Sequence, residues 1–220
     1  MYSLSEENYL KAIFFLKDPA KPGVSTNEIS NRLHTKASSA TDMLKKLNEK
    51  GLVEYIKYKG ASLTSAGEKV AVKVIRKHRL WEVFLVDHLG FKWDEVHEIA
   101  EQLEHIQSVE LTERLEHFLN HPQFDPHGDP IPNQEGVFPE SQRIELIDIP
   151  KRSGGKLVGV RDTSPEFLNY LEGQKLGLGA TLKVQEIFAY DGSMNVEVDG
   201  VRQLTLSRSV CKQLLINSSK

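Results

Sequence analysis

Two segments in the middle of the chain carry histidines and carboxylates at the spacing of one helical turn. In VHEIAEQLEHI, four such residues fall at positions i, i+4, i+7 and i+8: His97, Glu101, Glu104 and His105. At 3.6 residues per turn, these four share one face of a helix. The preceding segment, RKHRLWEVFL, holds a second i, i+4 pair, formed by His78 and Glu82. Imidazole and carboxylate ligands without sulfur favour Mn²⁺, Fe²⁺ or Zn²⁺ over Cu⁺. The pattern therefore predicts a metal site; the alternative is a solvated acidic helix face.

A second group of residues has the chemistry of DNA recognition. The segment KASSATDMLKKLNEK places small polar and cationic side chains at the start of a short helix: Lys36, Ser38, Ser39, Thr41 and Asp42. The N-terminal residues of a recognition helix reach base edges in the major groove, and nearby cations hold phosphates. A hairpin tip follows with Lys57, Tyr58 and Lys59, which suits a wing along the phosphate backbone. The alternatives are a solvated polar helix and a protein-docking module.

The elements that must position these groups can be read from periodicity and capping signals. Ser25 and Glu28 form a capping box, and Gly51 is placed to end the recognition helix. The order of helix, helix, turn, helix and hairpin is typical of a winged helix-turn-helix. The pattern predicts helices at 4–17, 37–50, 65–89, 93–107 and 109–120, and a hairpin at 53–64.

The last third of the chain has the pattern of a small β-barrel. Residues 121–141 form a connector rich in proline and glycine, and its prolines exclude a regular helix or strand there. Four segments with alternating or continuous apolar residues follow, and DGS at 191–193 and DG at 199–200 are hairpin signals. A short helix, PEFLNYLEG, lies between the first two strands. The fold class is therefore mainly α with β.

Net charge distinguishes three parts of the chain, and the composition excludes several classes of protein. Residues 1–75 have a net charge of +4, residues 76–140 of −9, and residues 141–220 of +2. Seven of the eight histidines lie within 78–127. No apolar run is long enough to span a membrane, and no signal peptide is visible. The one cysteine, Cys211, fits a reducing cytoplasm and excludes a cysteine-rich zinc finger.

These motifs together resemble the diphtheria toxin repressor family. RKHRLWEVFL, VHEIAEQLEH and HGDPIP follow the predicted winged helix-turn-helix in the family's order. The resemblance covers nearly the whole chain. It implies a winged helix-turn-helix domain at 1–72, a helical metal-binding and dimerisation domain at 73–140, and an SH3-like barrel at 141–220.

The resemblance also implies a primary metal site. The family takes one ligand from the first helix and three from the central helix, and the matching residues are Asn8, Glu101, Glu104 and His105. Members carry Asp or Met at the first position, so Asn8 is a departure. Glu at position 101 is typical of the manganese-type members, whereas iron-type members have Cys. A second first-helix carboxylate of some short manganese regulators is replaced by Lys11.

A second metal site is implied in two forms. Iron-type members use the positions of His78, Glu82 and His97. Streptococcal-type manganese regulators use positions that here hold Glu82, Asp125, His127 and Asp162. Glu166 is a further candidate ligand.

The function implied is that of a homodimeric, metal-activated repressor of metal-uptake genes, which binds double-stranded operator DNA. Mn²⁺ is the expected metal, Fe²⁺ is the alternative, and Zn²⁺ is expected to substitute in vitro. We expect no enzymatic activity, no membrane association and no small organic substrate. From other classes, the alternatives are a metallohydrolase, although no HExxH signature is present, and a winged-helix regulator with a purely structural metal.

Overall fold

The computed structural model describes residues 2–57, 59–140 and 142–218. The predicted DNA contact at Tyr58 lies outside these residues. Within them the helices are α1 (Leu4–Leu16), α2 (Thr26–Arg32), α3 (Ala37–Glu49), α4 (Ser65–Asp87), α5 (His97–Leu103), α6 (Val109–Phe118), α7 (Pro165–Gly173) and α8 (Arg208–Cys211). The strands are β1 (Val53–Ile56), β2 (Gly60–Leu63), β3 (Ile144–Glu145), β4 (Gly154–Val160), β5 (Thr181–Ile187), β6 (Met194–Val198), β7 (Arg202–Leu206) and β8 (Leu214–Ser218).

Contacts divide the chain into two compact units. The first comprises Met1–Trp81, Glu101–Phe118 and Pro132–Phe138, and the second comprises Glu82–Ala100, Leu119–Ile131 and Pro139–Lys220. The helix α4 continues from the first unit into the second. The division into three domains stays a prediction.

The first unit contains the predicted winged helix-turn-helix. The capping boxes at Ser3 and Ser25 begin α1 and α2, because each serine accepts from the third helical N–H. The recognition helix α3 ends at Glu49 with Lys50 as its C-cap, and the φ of +68° at the following Gly51 fits a left-handed stop. Strands β1 and β2 form an antiparallel hairpin, with Ile56 opposite Gly60. One buried apolar core joins these elements; its largest side chains are Leu10, Ile13, Ile29, Leu44 and Leu47.

The predicted central helix at 93–107 is wrong in its length. The helix α5 begins at His97 and ends at Leu103, so Glu104 and His105 lie in a turn beyond it. The shared helical face predicted for the four ligand residues is therefore not formed. Both turn residues contact side chains of α1, because Glu104 forms an ion pair with Lys11 and His105 Nδ1 donates to Glu7. Helical preference is weak enough for such tertiary contacts to override it.

The second unit contains a six-stranded antiparallel sheet in the order β3-β8-β4-β5-β6-β7. Both predicted hairpin turns are present, between β5 and β6 and between β6 and β7. Cys211 is fully buried in the apolar core of this unit, which also takes Leu168 and Leu171 from α7. Two strands, β3 and β8, were not predicted. This sheet confirms the mainly α with β fold class.

The described part of the connector before the sheet, residues 121–140, contains no helix or long strand, as predicted. Its backbone is held against β4, because Val160 N–H donates to the His127 carbonyl at 3.0 Å. Gly128 has a φ of +85°, and a Cβ there would lie 2.0 Å from the Val158 carbonyl oxygen. Only glycine can occupy this position without moving the strand.

Candidate metal centres and DNA-binding surface

The turn after α5 places Glu104 at the centre of a buried polar cluster in the first unit. Glu104 is 1% exposed, and its Oε2 accepts a hydrogen bond from Lys11 Nζ at 2.6 Å. His78 Nδ1 lies 2.6 Å from the same oxygen, so this nitrogen donates to the carboxylate. Burial by itself would raise the pKa of Glu104, but the hydrogen bond from His78 and the charge of Lys11 outweigh it and lower the pKa. Glu104 is therefore ionised at neutral pH.

His105 is oriented by a carboxylate that the sequence analysis missed. Its Nδ1 lies 2.6 Å from Oε2 of Glu7, which is 3% exposed on α1. The other oxygen of Glu7 accepts from Gln107 at 2.9 Å. With Nδ1 held in this way, Nε2 of His105 faces Oε1 of Glu104 at 3.6 Å. A carboxylate behind an imidazole is the usual arrangement that orients a metal-ligating histidine.

These two atoms fit a divalent ion. Two ligands bound to one ion at about 2.1 Å lie about 3–3.5 Å apart, close to the separation of Glu104 Oε1 and His105 Nε2. Glu104 Oε1 is buried and has no hydrogen-bond partner among the described residues. A buried polar atom without a hydrogen-bond partner costs free energy, and a bound ion would remove that cost. The donors would supply one carboxylate oxygen and one imidazole nitrogen.

The other two residues of the predicted primary site are more exposed than Glu104. The side chain of Glu101 is 53% exposed, and its Oε1 lies 3.8 Å from Lys11 Nζ. Asn8 is half-buried on α1, next to Glu7. The signal that could have identified Glu7 was present, since a carboxylate stands beside Asn8 in EENYL. What the sequence lacked was any indication of which side of α1 meets the turn.

The second unit holds a cluster of three buried groups. Glu82, Asp125 and His127 are 2–5% exposed, and each offers one ligand atom within 4.8 Å of the others. His127 Nδ1 lies 3.7 Å from Glu82 Oε2 and 4.0 Å from Asp125 Oδ1. Asp125 is itself held in place, because its Oδ1 accepts from the backbone N–H groups of His127 and Asp129. This cluster contains oxygen and nitrogen ligands suited to a divalent ion.

The ring of His127 is fixed with Nδ1 toward the carboxylates. Its Nε2–H donates to the Trp93 carbonyl at 2.7 Å, and the two rings stack with centroids 6.3 Å apart. Burial opposes protonation of the ring, but Glu82 and Asp125 outweigh this effect and raise its pKa to about 9. A metal ion at Nδ1 would replace this proton.

Four further predicted ligands are not part of this group of three. His97 Nδ1 lies 3.5 Å from Glu82 Oε1, and the histidine side chain is 46% exposed. Asp162 is half-buried just beyond β4, and its Oδ1 accepts from the Ser164 N–H at 2.9 Å. Glu166 is exposed at the start of α7. His78, predicted beside Glu82 in the iron-type site, lies one helical turn before Glu82 on α4 and donates to Glu104.

The predicted DNA-binding residues that the structure describes lie on the winged helix-turn-helix, and most are exposed. Lys36 is the N-cap of α3, and Ser38, Ser39 and Asp42 are exposed on its first turns. Thr41 is half-buried, and its hydroxyl donates to the Ala37 carbonyl. The exposed side chains can reach base edges.

Lysines lie at the hairpin tip and at the C-terminal end of α3. Lys57 and Lys59 are exposed at the hairpin tip. At the other end of α3, Lys46 and Lys50 bind the buried Glu6 of α1 at 3.0 and 2.6 Å.

Two family models match adjoining parts of the chain. Residues 1–61 match the N-terminal DNA-binding domain of the iron-dependent repressors, and residues 64–133 match their metal-binding and dimerisation domain. The chain belongs to the iron-dependent repressor family. It is 32% identical to the iron-dependent repressor IdeR of Mycobacterium tuberculosis over 154 residues, which are 67% of this chain and 66% of the mycobacterial protein. The chain thus spans slightly less than two thirds of that relative.

Solved structures of the repressor family match almost the whole chain. A manganese-dependent transcriptional repressor in complex with manganese has a TM-score of 0.87 and 33% identity, covering 97% of this chain and all of that one. The manganese regulator SloR has a TM-score of 0.74 and 35% identity, covering 97% of this chain and 98% of that one.

The comparisons confirm the main functional prediction. This repressor belongs to a family of metal-dependent, dimeric, DNA-binding transcriptional repressors, and the alternative of a metallohydrolase is wrong. Among the described residues, no helix is long and apolar enough to cross a membrane.

Proposed function

We propose that this repressor responds to manganese and controls metal-uptake genes by binding operator DNA as a homodimer. The main observation is the pair of Glu104 Oε1 and His105 Nε2, 3.6 Å apart, with the carboxylate oxygen buried and lacking a hydrogen-bond partner in the described part of the chain. In this proposal Asn8 and Glu101 complete the primary site. The second site is formed by Glu82, Asp125 and His127, with Asp162 as the ligand from the sheet.

The chemistry of the donors favours manganese over iron. The proposed ligands are oxygen and imidazole nitrogen, which suit Mn²⁺, and the one cysteine is fully buried in the sheet core. Zn²⁺ binds any such site more tightly by the Irving–Williams order, so selectivity must depend on which ion produces the active geometry. Iron is the alternative, since the similar mycobacterial repressor is named for iron.

The proposed mechanism couples the metal to the DNA-binding elements through α1. Glu7 and Lys11 of α1 already contact the turn that carries Glu104 and His105. The same helix holds the end of the recognition helix through Glu6 and Lys50. An ion shared by α1 and the turn would favour one position of α1, and with it one placement of α3. Allosteric coupling of this kind is typically about 1–3 kcal/mol, or roughly 5–150-fold in affinity.

Operator affinity measured with and without metal tests the proposal. The DNA is taken from upstream of the protein's own gene and its neighbours, and binding is followed by fluorescence anisotropy at constant salt. We expect Mn²⁺ to strengthen binding by a factor within the range above. Equal affinity in chelator and in Mn²⁺ would contradict metal activation.

The metal preference is tested separately by the Glu101→Cys variant. A thiolate at this position is expected to shift activation toward Fe²⁺ under anaerobic conditions. Activation of the unmodified repressor by Fe²⁺ but not by Mn²⁺ would overturn the manganese assignment and leave the repressor function intact.

A further inference from the structure

We propose that the ammonium group of Lys11 acts as a built-in cation of the primary metal site, so that this site takes a single divalent ion. The inference rests on the proposed assignment of Glu104 and His105 as metal ligands. It assigns Lys11 a role in setting how many ions bind there and how tightly.

The ammonium group of Lys11 lies between two carboxylates of the proposed primary site. Its Nζ lies 2.6 Å from Glu104 Oε2 and 3.8 Å from Glu101 Oε1, and His78, which donates to the same Glu104 oxygen, lies beside it with Nδ1 at 3.4 Å. Two carboxylates thus face one positive charge. The lysine side chain is 11% exposed, so bulk water screens this charge only weakly.

The two carboxylate oxygens of Glu104 make different contacts. Oε2 accepts from Lys11 and His78, whereas Oε1 is buried, has no hydrogen-bond partner within residues 2–57, 59–140 and 142–218, and faces His105 Nε2. A carboxylate that bridges two cations has the same geometry, with one cation at each oxygen. Here one of the two cations is covalently part of the chain.

This tethered charge has two consequences for metal binding. First, it occupies the space in which His78, Glu101 and Glu104 would otherwise hold a second ion. Second, it repels a divalent ion at Oε1, because two like charges this close interact strongly when water is largely excluded. Removing the charge should therefore raise the affinity for the ion, and replacing it with a carboxylate should admit another ion.

The test measures metal binding to the full-length chain, with no need for DNA. All variants are made in a His127→Ala background, which weakens the other candidate site. Mn²⁺ affinity is measured by isothermal titration calorimetry, and the number of bound ions by native mass spectrometry. Lys11→Met removes the charge and keeps much of the side-chain length, Lys11→Arg keeps the charge, and Lys11→Glu reverses it. Lys17→Met is the matched control, since Lys17 directly follows α1 and its side chain is 60% exposed.

We expect Lys11→Met to bind Mn²⁺ at least tenfold more tightly than the background chain. Lys11→Glu should bind one additional ion, whereas Lys11→Arg and Lys17→Met should bind the same number as the background. Unchanged affinity in Lys11→Met together with unchanged ion number in Lys11→Glu would overturn the inference. So would two ions at the primary site of the background chain, a result that needs no variant of Lys11.

The His105→Ala variant separates this inference from the proposed function. If the background chain and His105→Ala bind Mn²⁺ equally, the assignment of the primary site fails and this inference fails with it. If His105→Ala loses the ion but the Lys11 variants behave like the background, only the role of Lys11 is wrong.

Discussion

His127 Nδ1 faces Glu82 Oε2 at a distance of 3.7 Å, and both side chains are 3% exposed. The hydrogen bond from Nε2 to the Trp93 carbonyl fixes the ring, so the nitrogen that faces the carboxylates is the one available to a metal. Two carboxylates and one imidazole thus lie close together.

The His127→Ala variant is expected to lose or greatly weaken one metal site. Removing a ligand from a site of few ligands should lower its Mn²⁺ affinity by about 10–100-fold or more, as even loss of a supporting residue has an effect of that size. Equilibrium dialysis against Mn²⁺ measures the change. His117→Ala, on α6 and outside the cluster, is the control. A full complement of ions with unchanged affinity in His127→Ala would exclude this residue as a ligand.

The Glu7→Gln variant should weaken the primary site without removing a ligand. Glu7 holds His105 by its Nδ1, and an amide in its place is a weaker acceptor that no longer fixes the ring. We expect a loss of about 10–100-fold in Mn²⁺ affinity, the usual effect of losing such a supporting group. Glu68→Gln, an exposed carboxylate of α4, is the control. Equal affinities in the two variants would show that Glu7 does not orient the ligand.

The Glu6→Gln variant should be destabilised in a pH-dependent way. Glu6 is buried, which would raise its pKa, but hydrogen bonds from Lys50, the Ser3 N–H and Lys46 lower the pKa to about 2. Because the folded pKa lies below the ordinary value of 4.5, the stabilisation is present above pH 4.5 and is lost as the pH falls toward 2. The lysine side chains are about half exposed, so we expect about 1 kcal/mol at pH 7.

Urea denaturation of the original chain and Glu6→Gln at pH 7 and pH 3 measures this effect. The difference in unfolding free energy should be smaller at pH 3. A difference that stays constant or grows on acidification would contradict the role given to the Glu6 carboxylate.

Substitutions on the hairpin and on α3 should separate phosphate contacts from base contacts. Lys59→Ala is expected to weaken binding to all DNA sequences alike and to reduce the salt slope by about 1. Ser39→Ala is expected to change the ranking among operator variants, because Ser39 is exposed on the first turn of the recognition helix. Anisotropy titrations at several salt concentrations measure both. Identical behaviour of the two variants on all sequences would show that α3 does not read bases.

Gly128→Ala should destabilise the second unit and its metal cluster. The added Cβ would lie 2.0 Å from the Val158 carbonyl oxygen at a residue with a φ of +85°. We expect a loss of about 2–4 kcal/mol in unfolding free energy, in the range of strain and overpacking at buried sites. Gly177→Ala is the matched control, since nothing lies within 4 Å of its added Cβ. Thermal unfolding of both variants measures the difference in stability. Equal stability of the two variants would show that the connector can move away from β4.

Local signals in the sequence predicted most of the elements correctly. The capping box at Ser25, the stop at Gly51 and the turns at 191–193 and 199–200 depend on neighbours within a few residues. All the residues that take part in such local interactions are close together in the sequence and can be read from it directly. The short strands β3 and β8 were missed because their pairing joins residues about seventy positions apart, which no local pattern reveals.

For the candidate sites, the sequence alone determined the chemical types of the ligands and their order along the chain. Histidines and carboxylates without a thiol, behind a winged helix-turn-helix pattern, indicated a metal site and DNA binding, and the family resemblance implied a metal-activated repressor. Only the tertiary structure decided which of these groups meet. In the structure, α5 ends at Leu103, Glu104 is buried, and Glu7 and Lys11 contact the turn. The reason is that ion pairs between residues nearly a hundred positions apart outweigh the small helical preference of two residues, and helical spacing carries no information about such partners.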